Sequence, residues 1–413
     1  MKNNLLLLFA FLLIVSCSDD DDPVTVQQCA KPTGVIANTI TFESAEIIWT
    51  DANSATSFTV EYGLSGFMLG SGTTINRAET SVMLTNLAAN TSYDVYITTI
   101  CSIDNSSMYS DVFNFTTSAP LVIPELLPNL SDLNLFAGNL NDLTPSSRAF
   151  EYNLNTPLFT DYAHKQRLIA LPPGTTMDFV DNGFPDFPDN TVISKTFYYN
   201  NDERDESLGK TIIETRILIK INGVWELGNY KWNANQTDAV LDDMAHTVPV
   251  SFIDDSGTTN TINYGVPSMQ DCINCHNSSN IITPIGPKMR TMNFNNQLQD
   301  FINAGHLSNL SDPSSVTTLP NWEDTSYTIE ERSRAYFDVN CAHCHSDGGY
   351  CEFQSELRLT YETPFAESMI LERKGSIDNR MRNYNPGISM PLIGTSIVHS
   401  EGYDLIRQYL NSL

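Results

Sequence analysis

Asn340-Cys341-Ala342-His343-Cys344-His345 decides how the C-terminal part of this chain is read, and Cys272-Ile273-Asn274-Cys275-His276 repeats its pattern. Each has two cysteines one helical turn apart and a histidine directly after them. Two thiols at that spacing can form thioethers with the two vinyl groups of one haem. The adjacent histidine then lies under the ring as the proximal iron ligand. Paired CxxC motifs also ligate zinc, but a four-cysteine zinc site has no use for a histidine after each pair. The sequence therefore predicts two covalently bound haem c groups. Cys272, Cys275, Cys341 and Cys344 are the attachment points, and His276 and His345 the iron ligands.

Ser389-Met390-Pro391 follows the second motif. In this order the chain resembles class I c-type cytochromes, where a methionine commonly followed by proline is the sixth iron ligand. The resemblance implies that role for Met390, a soft thioether that favours Fe(II) and raises the potential. The competing role for any methionine is core packing. The flanks predict helices. Thr328 to Val339 opens with an N-cap threonine, has Glu330 and Glu331 in its first turn, and carries Ala335, Tyr336 and Val339 on one face. Glu401 to Leu413 places Tyr403, Ile406, Tyr409, Leu410 and Leu413 at helical spacing. Residues 326–413 are expected to form an α-helical cytochrome c-type haem domain.

The first motif has less chain around it, and 266–320 is expected to be a shortened haem c unit. Met289 or Met292 is its candidate distal ligand, His306 is another, and an open iron is the third case. A helix is expected from Asn296 to Ala304, ended by Gly305. A five-coordinate haem binds peroxide or small gases, whereas a six-coordinate one mainly passes electrons. Cys351 is left over as a thiol near the second haem, and His343 is expected at the surface.

The chain has 413 residues, 22 Lys+Arg against 49 Asp+Glu, and a net charge of −27. Such a surface repels nucleic acid and suits a basic docking partner. With 41% hydrophobic and 17% charged residues it is globular rather than disordered. Residues 1–17 read as a lipoprotein signal peptide: Lys2, then the apolar run Leu5 to Val15, too short to span a bilayer. The run ends Ile14-Val15-Ser16-Cys17, which resembles the bacterial lipobox and implies a lipidated Cys17. The acidic tether 18–28 begins Ser18-Asp19-Asp20-Asp21-Asp22, resembling the export signal of Bacteroidota lipoproteins. An outer-membrane lipoprotein is implied, at the cell surface or otherwise facing the periplasm. Covalent haem attachment, which takes place outside the cytoplasm, needs the same export.

Residues 29–118 alternate in short runs such as Ala45 to Trp49 and Ser57 to Tyr62. Leu84-Thr85-Asn86-Leu87 followed by Thr91 to Tyr96 resembles the tyrosine-corner segment of a fibronectin type III domain, with Trp49 as its core tryptophan. Cys29 and Cys101 bracket this unit and are expected to pair in an oxidising compartment. A proline-marked linker, 119–128, leads to a β-rich domain, 129–265. There Ile213, Ile217, Ile219 and Ile221 are expected to share a face, and Asn222-Gly223 to close a hairpin. The run Asn155 to Tyr162, the segment Glu214-Thr215-Arg216, and the second motif preceded by Asn340 resemble a family of exported dihaem c-type proteins of uncharacterised role. The resemblance covers about 120–413.

The fold expected is thus multidomain: a fibronectin sandwich, a β-rich middle, and helical haem-binding parts. The function expected is an exported, lipid-anchored dihaem cytochrome that carries electrons to or from a redox partner. One alternative is a dihaem peroxidase-type enzyme with an open first haem. The other is a surface binding protein whose haems are structural.

Overall fold

A computed structural model describes residues 29–52, 54–118 and 125–413. The expected lipidation at Cys17, the tether from Asp19 to Asp22 and most of the linker lie outside these residues. The chain divides into two compact units, 1–121 and 122–413. Among the described residues no helix is long and apolar enough to cross a membrane.

The first unit is a β-sandwich. One sheet is built from β1 (Thr33–Ile40), β2 (Ala45–Thr50) and β5 (Ser81–Leu84). The other contains β3 (Ser57–Leu64), β4 (Thr73–Arg77), β6 (Ser92–Ser102), the short β7 (Asn105–Ser106) and β8 (Phe113–Thr116). Period-two alternation puts Ala45, Ile47 and Trp49 of β2 into the core, where they meet Phe58, Val60, Val95 and Ile97. Trp49 and Phe58 pack edge-on at 5.3 Å. Tyr93 Oη accepts a hydrogen bond from the Ala88 N–H at 2.8 Å, the corner expected of this segment. Cys29 and Cys101 form a disulfide with Cα atoms 6.0 Å apart.

The second unit is organised by a six-stranded antiparallel sheet in the order β15-β14-β13-β12-β10-β9. Its strands are β9 (Ala149–Glu151), β10 (His164–Ala170), β12 (Val192–Asn200), β13 (Lys210–Ile221), β14 (Val224–Trp232) and β15 (Ala239–Leu241); the short β11 (Met177–Asp178) lies apart from it. Asn222 and Gly223 form the two-residue turn between β13 and β14, with φ of 50° and 79°, so Ile221 faces Val224 directly.

The isoleucines of β13 do not all share a face. The register slips where Tyr198 faces Ile212 and Phe197 faces Glu214, leaving Ile213 as an extra residue. This bulge turns Ile213 into the cluster of Phe197 and Tyr199, completed by β16 (His246–Ile253) and β17 (Thr259–Val266) through Val250, Phe252, Ile262 and Tyr264. Beyond the bulge, alternation places Ile217 and Ile219 on the opposite face from Leu218.

Six helices follow: α1 (Met269–Cys275), α2 (Met289–Met292), α3 (Gln297–Asn303), α4 (Ile329–Asn340), α5 (Ile370–Arg382) and α6 (Ser400–Ser412). α3 is followed by Gly305 at φ 74°. Residues between the two motifs pack on the sheet: Met289, Met292, Leu298, Phe301, Leu307 and Val316 share one core with Tyr152, Ile169, Ile193, Leu218 and Trp225. α4, α5 and α6 enclose their own core around Tyr336, Phe337, Ile377, Met381, Ile406 and Tyr409.

Candidate functional site

The first motif sits on α1, a two-turn helix started by a reciprocal cap. Ser268 Oγ accepts from the Asp271 N–H, and the Asp271 carboxylate accepts from the Ser268 N–H at 3.0 Å. Cys272 is buried and Cys275 half-buried one turn apart, and His276 ends the helix. The chain then doubles back through Asn277–Ser278 and Ile281–Ile282, bringing Thr283 beside the histidine. His276 Nδ1 lies 2.7 Å from the Thr283 carbonyl oxygen. A carbonyl only accepts, so Nδ1 carries the proton and Nε2 keeps its lone pair. Burial, reinforced by the Lys195 ammonium, pushes this imidazole down to about 3. It is neutral at any physiological pH, the form that ligates a metal.

The second motif follows the C-terminus of α4, whose start is capped reciprocally by Thr328 and Glu331. Cys341 N–H donates to the Phe337 carbonyl at 2.9 Å, and His345 N–H to the Cys341 carbonyl at 2.9 Å. His345 is buried, and burial pushes its ring down to about 4. Its Nδ1 has no hydrogen-bond partner among the described residues. Cys341, Cys344, His345 and Met390 line one cavity of about 730 Å³, within the range of cofactor pockets. Met390 is held there by α5: its N–H donates to the Arg380 carbonyl at 2.9 Å, while Arg380 Nη1 donates to the Ile388 carbonyl at 2.9 Å. Two thiols, a neutral histidine and a thioether on one cofactor-sized cavity fit a haem c.

The two motifs meet. Cys275 Sγ, Cys344 Sγ and a ring nitrogen of His343 lie within 4.8 Å of one another. His343 is thus half-buried between the motifs, beside Cys275 and Cys344, rather than at the surface. Cys351 lines the large cavity beside Cys344. At the first motif Cys275 lines a cavity of about 140 Å³ that neither Cys272 nor His276 reaches, so the residues there do not enclose a space that fits a haem c.

Met289 and Met292 are fully buried in the sheet core and line neither cavity. His306 is stacked on Phe150 at 3.9 Å and is likewise on neither wall.

A strap that no motif announces fastens the second motif to the sheet. Asn340 Oδ1 accepts from the Phe159 N–H at 2.8 Å, and Thr156 Oγ1 donates to the Pro320 carbonyl at 2.7 Å. The buried Asp161 carboxylate accepts from Ser396 N–H at 2.8 Å and Ser396 Oγ at 2.6 Å. Asp161 and Tyr162 both have left-handed backbone, φ 48° and 63°, which non-glycine residues adopt when the surroundings hold them there. The only signal in the sequence was the resemblance of the run Asn155 to Tyr162.

The fibronectin type III domain family matches residues 30–116, and that segment is a fibronectin type III domain. Among solved structures, a redesigned β-sandwich protein is 26% identical, with 22% of this chain and 95% of that chain covered and a TM-score of 0.19. The fibronectin type III domain of human fibronectin type III domain containing protein 3 is 16% identical, covering 22% and 88%, with a TM-score of 0.20. No curated protein matches the chain.

Proposed function

We propose that the protein is an exported, lipid-anchored dihaem c-type cytochrome that carries electrons. The observation that carries this reading is the common cavity of Cys341, Cys344, His345 and Met390. Each haem, when bound, supplies a one-electron iron couple. Around it the chain does four things. The four motif thiols anchor the groups. His276 is held in the Nε2-ligating tautomer by Thr283. Arg380 keeps Met390 at the cavity. The contact of Cys275 with Cys344 sets the two attachment points side by side, which favours electron exchange between the groups. The net charge of −27 suits a basic redox partner, with docking weakened by salt. The fibronectin unit stands in sequence between the lipid anchor and the redox part.

A second reading, a dihaem peroxidase-type enzyme, draws on the burial of Met289 and Met292 away from the cavities, which leaves the first haem without a methionine. Visible spectra of the purified holoprotein, ferric and ferrous, with and without carbon monoxide, decide between them. Two low-spin haems indifferent to carbon monoxide support the carrier. A high-spin haem that binds carbon monoxide supports the peroxidase. Zinc in place of haem overturns both.

A further inference from the structure

His399 stands among three oxidisable rings. Its imidazole is stacked on Phe159 at 4.1 Å, and Trp322, Tyr336 and Tyr162 lie around it with centroids at 5.2, 5.6 and 5.8 Å. Trp322 and Tyr336 also meet edge-on at 5.7 Å. The set runs from the interior outward. Tyr336, on α4, is 2% exposed and lines a small cavity with Ser389, Met390 and His399, whereas Tyr162 is 41% exposed. Gly402 lets α6 close on this ring, since a Cβ there would overlap Tyr336.

A phenol that loses an electron becomes a strong acid, so the electron leaves readily only where a base takes the proton. Tyr336 has that base: its Oη lies 3.0 Å from His399 Nδ1. Burial holds the phenol well above the usual tyrosine range. It also pushes the imidazole down to about 4, with the Glu401 carboxylate opposing and the Lys165 ammonium adding to it, so the ring is neutral at physiological pH. The Glu401 carboxylate, 3.8 Å from His399 Nε2, favours the tautomer with its proton on Nε2. Nδ1 then accepts from the Tyr336 hydroxyl. Glu401 also accepts from the exposed Tyr162 Oη at 2.7 Å, which joins the buried phenol to the surface through one imidazole and one carboxylate.

We propose that Tyr336 is a redox-active tyrosine: it gives up one electron through Trp322 and Tyr162, and its proton passes to His399. The oxidant is an oxygen-centred radical of the peroxyl class, met at Tyr162. That radical takes one electron and one proton from water and leaves as a hydroperoxide. The Tyr336 O–H bond breaks and an N–H bond forms at His399 Nδ1, which yields a neutral phenoxyl radical and an imidazolium beside the Glu401 carboxylate. The inference goes beyond the proposed function, because the site is made of the chain alone and needs no haem.

The test uses the purified full-length holoprotein, with flash-generated tris(bipyridine)ruthenium(III) as the one-electron oxidant. Radicals are trapped by rapid freezing and read by electron paramagnetic resonance in wild type, Tyr336→Phe, His399→Gln, Tyr162→Phe and the control Tyr109→Phe, an exposed ring of the fibronectin unit. Exposed tyrosyl radicals decay on meeting solutes, and the sheltered one persists. A persistent tyrosyl signal is expected in wild type and Tyr109→Phe and should be lost in Tyr336→Phe. In His399→Gln, which lacks the base, its formation should slow about a hundredfold, the lower end for a positioned proton acceptor. Heavy water should slow formation in wild type. With two variants at the pair, one that fails to fold leaves the other to decide. A persistent signal in Tyr336→Phe, or none in wild type, overturns the inference. So does formation in His399→Gln as fast as in wild type, which makes the pair a packing contact. A signal lost in Tyr162→Phe and kept in Tyr336→Phe places the donor at the surface and overturns it as well. Each of these outcomes leaves the cytochrome reading where it stands, and a chain without haem leaves the tyrosine inference where it stands.

Discussion

Cys275 and Cys344, each the second cysteine of its own motif, lie with their sulfurs within 4.8 Å of each other and of a His343 ring nitrogen. In a chain made without haem these donors are free, and soft sulfur with imidazole is a zinc-type set. Protein expressed where no haem is attached is expected to take up about one zinc per chain. Cys344→Ser should abolish it, as measured by elemental analysis. Zinc uptake unchanged in that variant would mean the sulfurs do not cooperate.

Met390 depends on Arg380. Loss of the guanidinium in Arg380→Ala removes its bond to the Ile388 carbonyl and loosens the loop that presents the thioether. On the cytochrome reading proposed above, the haem at the second motif of this variant should bind carbon monoxide in part, and that of Met390→Ala fully. Flash photolysis of the ferrous forms gives both fractions.

Met289 and Met292 should behave as core residues. Met289→Ala and Met292→Ala are each expected to lower stability by about 2–5 kcal/mol, the range for emptying a fully buried site. The haem spectra should stay as in wild type. A new carbon monoxide adduct in either variant would restore that methionine as an iron ligand.

Asp161 is a carboxylate under burial, which raises its pKa from the ordinary aspartate value, with the Ser396 and Ile397 hydrogen bonds opposing. A folded-state pKa above the unfolded one means that the folded form takes up the proton more readily. The stability from this difference is present below the unfolded pKa and lost as pH rises through the folded one. The stability of wild type relative to Asp161→Asn should therefore rise as pH is lowered from neutral into the carboxylate range. Asp161→Ala, which strips Ser396 of its acceptor, should cost on the order of 2–3 kcal/mol at neutral pH in denaturant melts.

The Cys29–Cys101 disulfide closes a 72-residue separation, for which loop entropy gives about 4 kcal/mol. Reduction should lower the melting transition of the fibronectin unit in calorimetry. The transition of the second unit should stay where it is.

What the sequence disclosed was local. The capped start of α4 at Thr328, the turn at Asn222-Gly223 and the corner at Tyr93 each depend on residues a few positions apart, and each is where the spacing put it. The bulge at Ile213 leaves no mark in the sequence, because Lys210 to Ile221 alternates well enough without it, yet it sets Ile213 among Phe197 and Tyr199 while Ile217 and Ile219 lie on the face opposite Leu218. Arg167, Lys195 and Arg216 face one another across β10, β12 and β13, and no local spacing shows it, because three strands become neighbours only through register. His343 looks like a surface residue within its own motif, and its partial burial comes from the other motif through Cys275.

The strap from Asn155 to Tyr162 changes what counts as the heritable piece of this protein. The motif and its methionine lie within one short C-terminal stretch and look transferable. Yet Asn340 and Ser396, on either side of that stretch, have bonding partners in a segment encoded far upstream. Recombination that moved the C-terminal segment alone would carry the thiols, the histidine and Met390 to a new host and leave their clasp behind.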